Sequence, residues 1–187
     1  MFKLLTIALA LMLPAFSPAQ PSPVDSAHST VTVHVYKTGL FSALAHDHTI
    51  KAPIASGSVD TGQRSVKLSF QVAEMQLLDT EGSESDRKEI DATMKGPKVL
   101  DAARFPVISF QSKRVELTNP GQYKVGGDLN LHGVSREIAV PVVLSNGVYK
   151  GTAHLKQTDF GITPVKVAGG AVRVKDEIEI DFEIVTH

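Results

Sequence analysis

From Val172 to Ile184 apolar and polar residues alternate. Val172, Val174, Ile178, Ile180, Phe182 and Ile184 hold one parity, and Arg173, Lys175, Glu177, Glu179, Asp181 and Glu183 hold the other. Successive side chains of a β-strand point to opposite faces, so the pattern predicts a strand with one apolar and one wetted face. Asp176 alone interrupts the apolar row. The same period recurs at Ser29 to Tyr36, where Val31, Val33 and Val35 face in, and at Ser65 to Val72, where Val66, Leu68, Phe70 and Val72 do. Many such strands in a small chain predict an antiparallel sheet rolled on itself, whose interior is either packed with side chains or holds an apolar guest.

The middle of the chain adds four strands and their turns. Ile108 and Phe110 share one parity and Val115 and Leu117 the other, which predicts a bulge near Ser112 to Arg114. After the turn Asn119-Pro120-Gly121, Tyr123, Val125, Leu129 and Leu131 fall on one face, with Gly127 where a bend or close backbone approach is easiest. His132-Gly133 leads into Ile138, Val140, Val142 and Leu144, and Pro141 restricts this strand to an edge, a bulge or a strand end. Asn146-Gly147 is a hairpin signal, followed by Tyr149, Gly151, Ala153 and Leu155 facing in and Lys150, Thr152, His154 and Lys156 facing out. Thr158 to Gly170 reads as a long loop, Pro53 to Asp60 as a short strand and turn, and Leu40 to Ile50 as irregular.

One helical insertion is expected over about residues 83–101. Ser83 with Asp86 three residues on forms a capping box, Ile90 and Met94 stand one turn apart, and Gly96-Pro97 stops the helix. A second short turn covers Lys98 to Asp101. The charged run Asp86-Arg87-Lys88-Glu89 is read as the solvated face of a helix that lids one end of the barrel.

Lys3, the apolar stretch Leu4 to Phe16 and Ser17-Pro18-Ala19 read as a secretory signal peptide cleaved after Ala19. Residues 20–24 are expected to form an extended arm, and residues 25–187 one β-rich domain in the periplasm or outside the cell. The chain has no cysteine, which excludes thiolate zinc sites, iron–sulfur clusters, c-type haem attachment and an N-terminal lipid on cysteine. Net charge is −1, and −2 once Lys3 is removed, so no field gathers nucleic acid. Nothing in the sequence fixes the oligomeric state.

No catalytic constellation is recognised, neither a Gly-x-Ser-x-Gly elbow nor a phosphate-binding glycine loop, and the chain is read as a non-enzyme. His28 and Ser29 are adjacent without triad geometry, and Asp79, Glu81 and Glu84 read as solvated loop carboxylates. The candidate metal ligands are His46 and His48, whose i, i+2 spacing puts both rings on one side of an extended segment, with His132 or His28 as a distant third ligand. The competing reading is a loop whose histidines bond to backbone. His34 and His154 fall on outward parity and are read as solvated.

Four stretches, taken together, resemble the polyisoprenoid-binding YceI-like family. They are Val24-Asp25-Ser26-Ala27-His28-Ser29, Arg104 to Ser112 (RFPVISFQS), Val125 to Val134 (VGGDLNLHGV) and Thr158-Asp159-Phe160-Gly161-Ile162. The resemblance spans about residues 24–185 and implies an all-β, lipocalin-like antiparallel barrel of about eight strands in an exported bacterial protein. It also implies the guest: an isoprenoid or another long apolar amphiphile, with no cofactor required, no nucleic-acid partner and at most transient membrane contact. The expected lining is Val33, Val35, Phe70, Phe110, Leu129, Leu131, Val140, Val142, Leu155, Phe160, Ile180 and Phe182. Two departures stand out: the family's Arg-Asp-x-His-Leu segment is here Ser85-Asp86-Arg87-Lys88-Glu89-Ile90, and the region Phe41 to His48 carries His-Asp-His. Two alternatives to a lipid carrier remain at this stage. One is a metal- or haem-associated redox accessory using His46 and His48, and the other a filled barrel presenting its loops to a partner.

Overall fold

The computed structural model describes residues 20–39 and 46–187. The expected signal peptide and the part of the irregular stretch at 40–45 lie outside the described residues. Among the described residues there are twelve strands: β1 Ser22–Pro23, β2 Thr30–Thr38, β3 His48–Lys51, β4 Ile54–Asp60, β5 Ser65–Gln71, β6 Gln76–Leu77, β7 Val107–Asn119, β8 Gln122–Leu131, β9 Val134–Ser145, β10 Val148–Lys156, β11 Lys166–Val167 and β12 Val172–Val185. All named pairings are antiparallel, and the sheet runs β1-β4-β5-β7-β8-β9-β10-β12-β2-β3-β6, with β11 on β12.

The twelve pieces reduce to eight ribbons, since four of them continue a neighbour: β6 extends β5 along β3, and β11 extends β10 along β12. β1 and β2 lie end to end along β12, separated by the kink at Asp25–His28, and β3 and β4 lie end to end along their other side. The ring closes where Val24 bridges Thr186 while its N–H donates to the Gly57 carbonyl, 2.9 Å away. Asp25 N donates to Val185 O at 2.9 Å, and His187 N to Pro23 O at 3.1 Å. The sequence reading of 20–24 as an arm is therefore corrected: Ser22–Pro23 is a strand and Val24 is buried in the core. Two prolines in five residues hide a strand whose missing N–H groups cost little, because its carbonyls and Val24 make the closing bonds.

Among the described residues the register of the ladders shifts at four places: between Ile54 and Ser56 in β4, between Ser112 and Arg114 and between Leu117 and Asn119 in β7, and between Val174 and Ile178 in β12. The β7–β8 register shifts between Ser112 and Arg114, as the change of apolar phase predicts, and this turns Val115 and Leu117 inward with Ile108 and Phe110. The β12–β2 register shifts between Val174 and Ile178, leaving Asp176 out of the apolar row to accept bonds from Thr158 N (2.9 Å) and Thr158 Oγ1 (2.7 Å). Of the two-residue hairpin turns, His132-Gly133 and Asn146-Gly147 have positive φ at both positions, the conformation that matches strand twist, whereas in Pro120-Gly121 only Gly121 does. The β9–β10 ladder holds only Val143–Ser145 against Val148–Lys150, and Pro141 lies just past its end, as an imino acid without an N–H requires.

The insertion folds as α1, Glu84–Lys95, with the full capping box: Asp86 N donates to Ser83 Oγ at 3.1 Å and Ser83 N to Asp86 Oδ2 at 3.0 Å. The residues beyond Gly96 form a turn. The charged run is solvated as read, with Lys88 paired to Glu84 at 2.6 Å, while Met94 is buried. The outer face of β12 carries the charged parity, the reverse of the apolar outer band of a barrel that spans a bilayer.

A Cβ on Gly127 would sit 2.3 Å from Gln111 O and 2.6 Å from Ser112 Cα, both backbone atoms of the β7 bulge. Neither can move aside without breaking the ladder. Gly127→Ala is expected to lower stability by about 1–3 kcal/mol, the usual cost of overpacking, read as a shift of the urea midpoint. An unchanged midpoint would show that the two backbones are not held in contact.

Candidate functional site

Inside the ring lies an apolar cavity of about 480 Å³. All twelve residues expected to line it do so: Val33 and Val35 from β2, Phe70 from β5, Phe110 from β7, Leu129 and Leu131 from β8, Val140 and Val142 from β9, Leu155 from β10, Ile180 and Phe182 from β12, and Phe160 from the turn after β10. The volume falls in the range of about 300–1,000 Å³ typical of small-molecule pockets. On β10 the small Ala153 lines it. Gly151 pairs with Phe182, and a Cβ on Gly151 would lie 2.6 Å from Phe182 Cζ.

The two ends differ. At one end Met75, from the turn after β5, and Met94 and Leu100 of the α1 region close the barrel with Phe160 and Ile162, all nine-tenths or more buried. Phe160 sits on a 3-10 turn, Gln157–Phe160, that is tied down on three sides: Gln157 Nε2 donates to Lys175 O (2.8 Å), Arg136 Nε to Asp159 O (3.0 Å), and Thr158 to Asp176. At the other end the lining turns polar, with Asp60, Thr61 and Arg64 of the β4–β5 turn, Tyr123 and Tyr149, while Leu117 stays half exposed. That end is the mouth. Burial, with a smaller push from Tyr123, raises the pKa of Tyr149, so its hydroxyl is a neutral donor at the rim.

The sequence marked Tyr123 and Tyr149 only as inward residues, and nothing in it marked Asp60 or Arg64, which reach the mouth through a turn. Met75 and Leu100 were equally silent as lining, because both lie outside regular strands and helix, where no period marks the inward side, and Met94 was marked only as part of the lid helix.

The histidines do not converge as the i, i+2 spacing suggests. His46 pairs with Glu81, and His48 Nδ1 lies 2.6 Å from Asp79 Oδ2, whose other oxygen accepts from Thr49 N. His132, in the β8–β9 turn with φ +54°, stands edge-on to Phe105 and 3.2 Å from Phe160 O, and His28 pairs with Asp25 at 2.7 Å. Among the described residues these four form no three-ligand group. Ser29 has a structural task as well: its Oγ accepts from Val185 N at 2.9 Å beside the ring closure.

The family model for the YceI-like domain matches residues 23–186, nearly the whole described chain. The chain belongs to the YceI-like family. Over 187 aligned residues it is 23% identical to a UPF0312 protein of Vibrio parahaemolyticus, covering 94% of this chain and 93% of that one. A UPF0312 protein of Vibrio cholerae is 28% identical over 114 residues, 56% of this chain, and the match spans only 59% of that relative's length. The crystal structure of Burkholderia cenocepacia BcnA superposes with a TM-score of 0.65 at 22% identity, over 88% of this chain and 99% of that one. A mutant YceI protein of Campylobacter jejuni, crystallised with a monobromobimane guest, gives 0.53 at 17% identity over 74% and 81%. These likenesses carry the barrel fold. The family is one of binding proteins.

The bonds from Thr158, side chain first and backbone second, hold the Asp176 carboxyl below its ordinary value of 3.8. A depressed folded pKa adds stability above the unfolded value and loses it as pH falls through the folded one. Thr158→Val is expected to raise the Asp176 pKa, followed by NMR titration of its carboxyl, and to leave less stability to be lost on the acid side of pH 4. An unmoved titration would mean that the hydroxyl does not hold the turn carrying Phe160.

Proposed function

We propose that this protein is an exported carrier that sequesters an isoprenoid or similar long apolar amphiphile inside its barrel. The observation that carries the reading is the cavity: about 480 Å³ of apolar space, lidded at one end and open at a polar mouth. An apolar guest that covers this lining is favoured by about 25 cal/mol for each Å² of apolar surface it removes from water, less the cost of immobilising the guest. The signal-peptide pattern at residues 1–19 supports an exported location.

The polarity of the two ends sets the guest's orientation. Its tail points toward Met94 and Phe160, and its head group stays at the mouth, where Arg64 and the hydroxyls of Tyr123 and Tyr149 offer donors. Sequestration needs no chemistry from the protein, only exclusion of water from the chain of the guest.

Ala153 faces the cavity half-way along β10, and the natural chain has no tryptophan. Ala153→Trp is expected to weaken binding of a fluorescent long-chain fatty acid at least tenfold while the far-ultraviolet spectrum keeps its β signature. The new indole also reports the polarity of the interior. Equal affinity for wild type and variant, with the variant folded, would place the ligand elsewhere and remove the carrier reading.

A further inference from the structure

A cluster on the outer wall, distant in purpose from the apolar interior, has the composition of a metal site. On the wetted face of β12, Glu179 and Asp181 stand two residues apart and so project to the same side. Glu179 is flanked across the sheet by His34 of β2 and His154 of β10, and Asp181 by Thr32 and Thr152. His34 Nε2 lies 3.2 Å from Asp181 Oδ2, and one ligand atom from each of His34, Glu179 and Asp181 falls within 4.8 Å of the other two. It is the one such three-residue group among the described residues.

The neighbours hold these carboxylates as outer-shell groups hold metal ligands. Thr152 Oγ1 donates to Asp181 Oδ1 at 2.6 Å, leaving Oδ2 turned toward His34. Tyr36 Oη donates to Glu179 Oε1 at 3.4 Å, leaving Oε2 on the side of His154 Nδ1, 3.8 Å away. The Tyr36 ring also stacks on His34, with centroids 6.5 Å apart and planes at 17°. Orientation of each ligand by a second hydrogen bond is the usual support of a bound ion. The next carboxylate along the same face, Glu183, is neutralised by Lys150 at 2.6 Å. The ion pairs of Glu179 and Asp181 are with imidazoles instead, groups that serve equally as donors to a metal.

We propose that His34, Glu179 and Asp181 bind a divalent cation of the zinc class, with His154 at the rim of the site and water completing the coordination. Imidazole with carboxylates favours zinc and its neighbours over magnesium or calcium, which prefer oxygen alone. Donors on a tetrahedral zinc at about 2.0–2.2 Å stand roughly 3.3 Å apart. His34 and Asp181 already have that spacing, and Glu179, partly exposed, closes the remainder by a side-chain rotation. The site joins β2 to β12 across the strand that closes the ring, and its existence does not depend on what the barrel holds.

The test is calorimetric titration of Zn²⁺ into the untagged, chelator-stripped mature chain, with Co²⁺ absorption as a second readout. One ion per chain is expected, together with the visible bands of cobalt bound to nitrogen and oxygen. His34→Ala should weaken Zn²⁺ at least tenfold, and so should the isosteric Asp181→Asn, which keeps the fold if the alanine variant does not. The His46→Ala/His48→Ala double variant should bind as the natural chain does. Absence of stoichiometric binding, retention of affinity in Asp181→Asn, or loss in the His46/His48 variant would each overturn the assignment.

Discussion

Everything in this molecule depends on keeping one parity of side chain inside a closed ring of antiparallel strands. A slip of one residue exchanges the two faces of a strand, so any irregularity must be absorbed where it occurs. β7 absorbs its shift against Gly127, whose missing side chain lets the backbones meet, and Ser112 Oγ accepts from Val66 N across to β5 at 2.8 Å. β12 absorbs its shift at Asp176, whose carboxylate then anchors the turn that carries Phe160. These departures from perfect alternation, with the further shift between Ile54 and Ser56 in β4, are absorbed within the ladders where they occur.

Closure in turn determines the interior. A ring of about eight strands leaves space that side chains can just fill or that one small ligand can occupy. Here Ala153 of β10, Phe110 of β7 and Phe182 of β12 all line the space, and it stays open. The lid region closes one end with Met75, Met94 and Leu100, and the β4–β5 turn leaves the other end polar. The same strands present carboxylates and imidazoles outward, so one set of residues serves a dry face and a charged face at once.

Much of this was legible in the sequence because strand period is a direct signal of facing. The inward rows, the β7 bulge, both positive-φ hairpin turns and the α1 capping box are each written in local residue order. The opening strand was not legible, since Pro21 and Pro23 mask a segment whose role is fixed by Val59 and Thr186, far away in the chain. Packing also could not be read from parity: an inward valine looks the same whether it meets another side chain or empty space. The histidines show the converse limit. His46 and His48 attract notice through local spacing yet pair separately with Glu81 and Asp79. His34 becomes a neighbour of Glu179 and Asp181 only through a register linking residues nearly 150 positions apart.

The central claim is that the barrel interior is a site for a long apolar guest. It is tested most directly by comparing the native and denatured masses of protein purified from its native cells, followed by organic extraction. The account predicts an excess native mass matched by one extractable, predominantly apolar molecule per chain. Identical native and denatured masses, together with failure of the purified barrel to take up any long-chain isoprenoid or fatty acid, would contradict it.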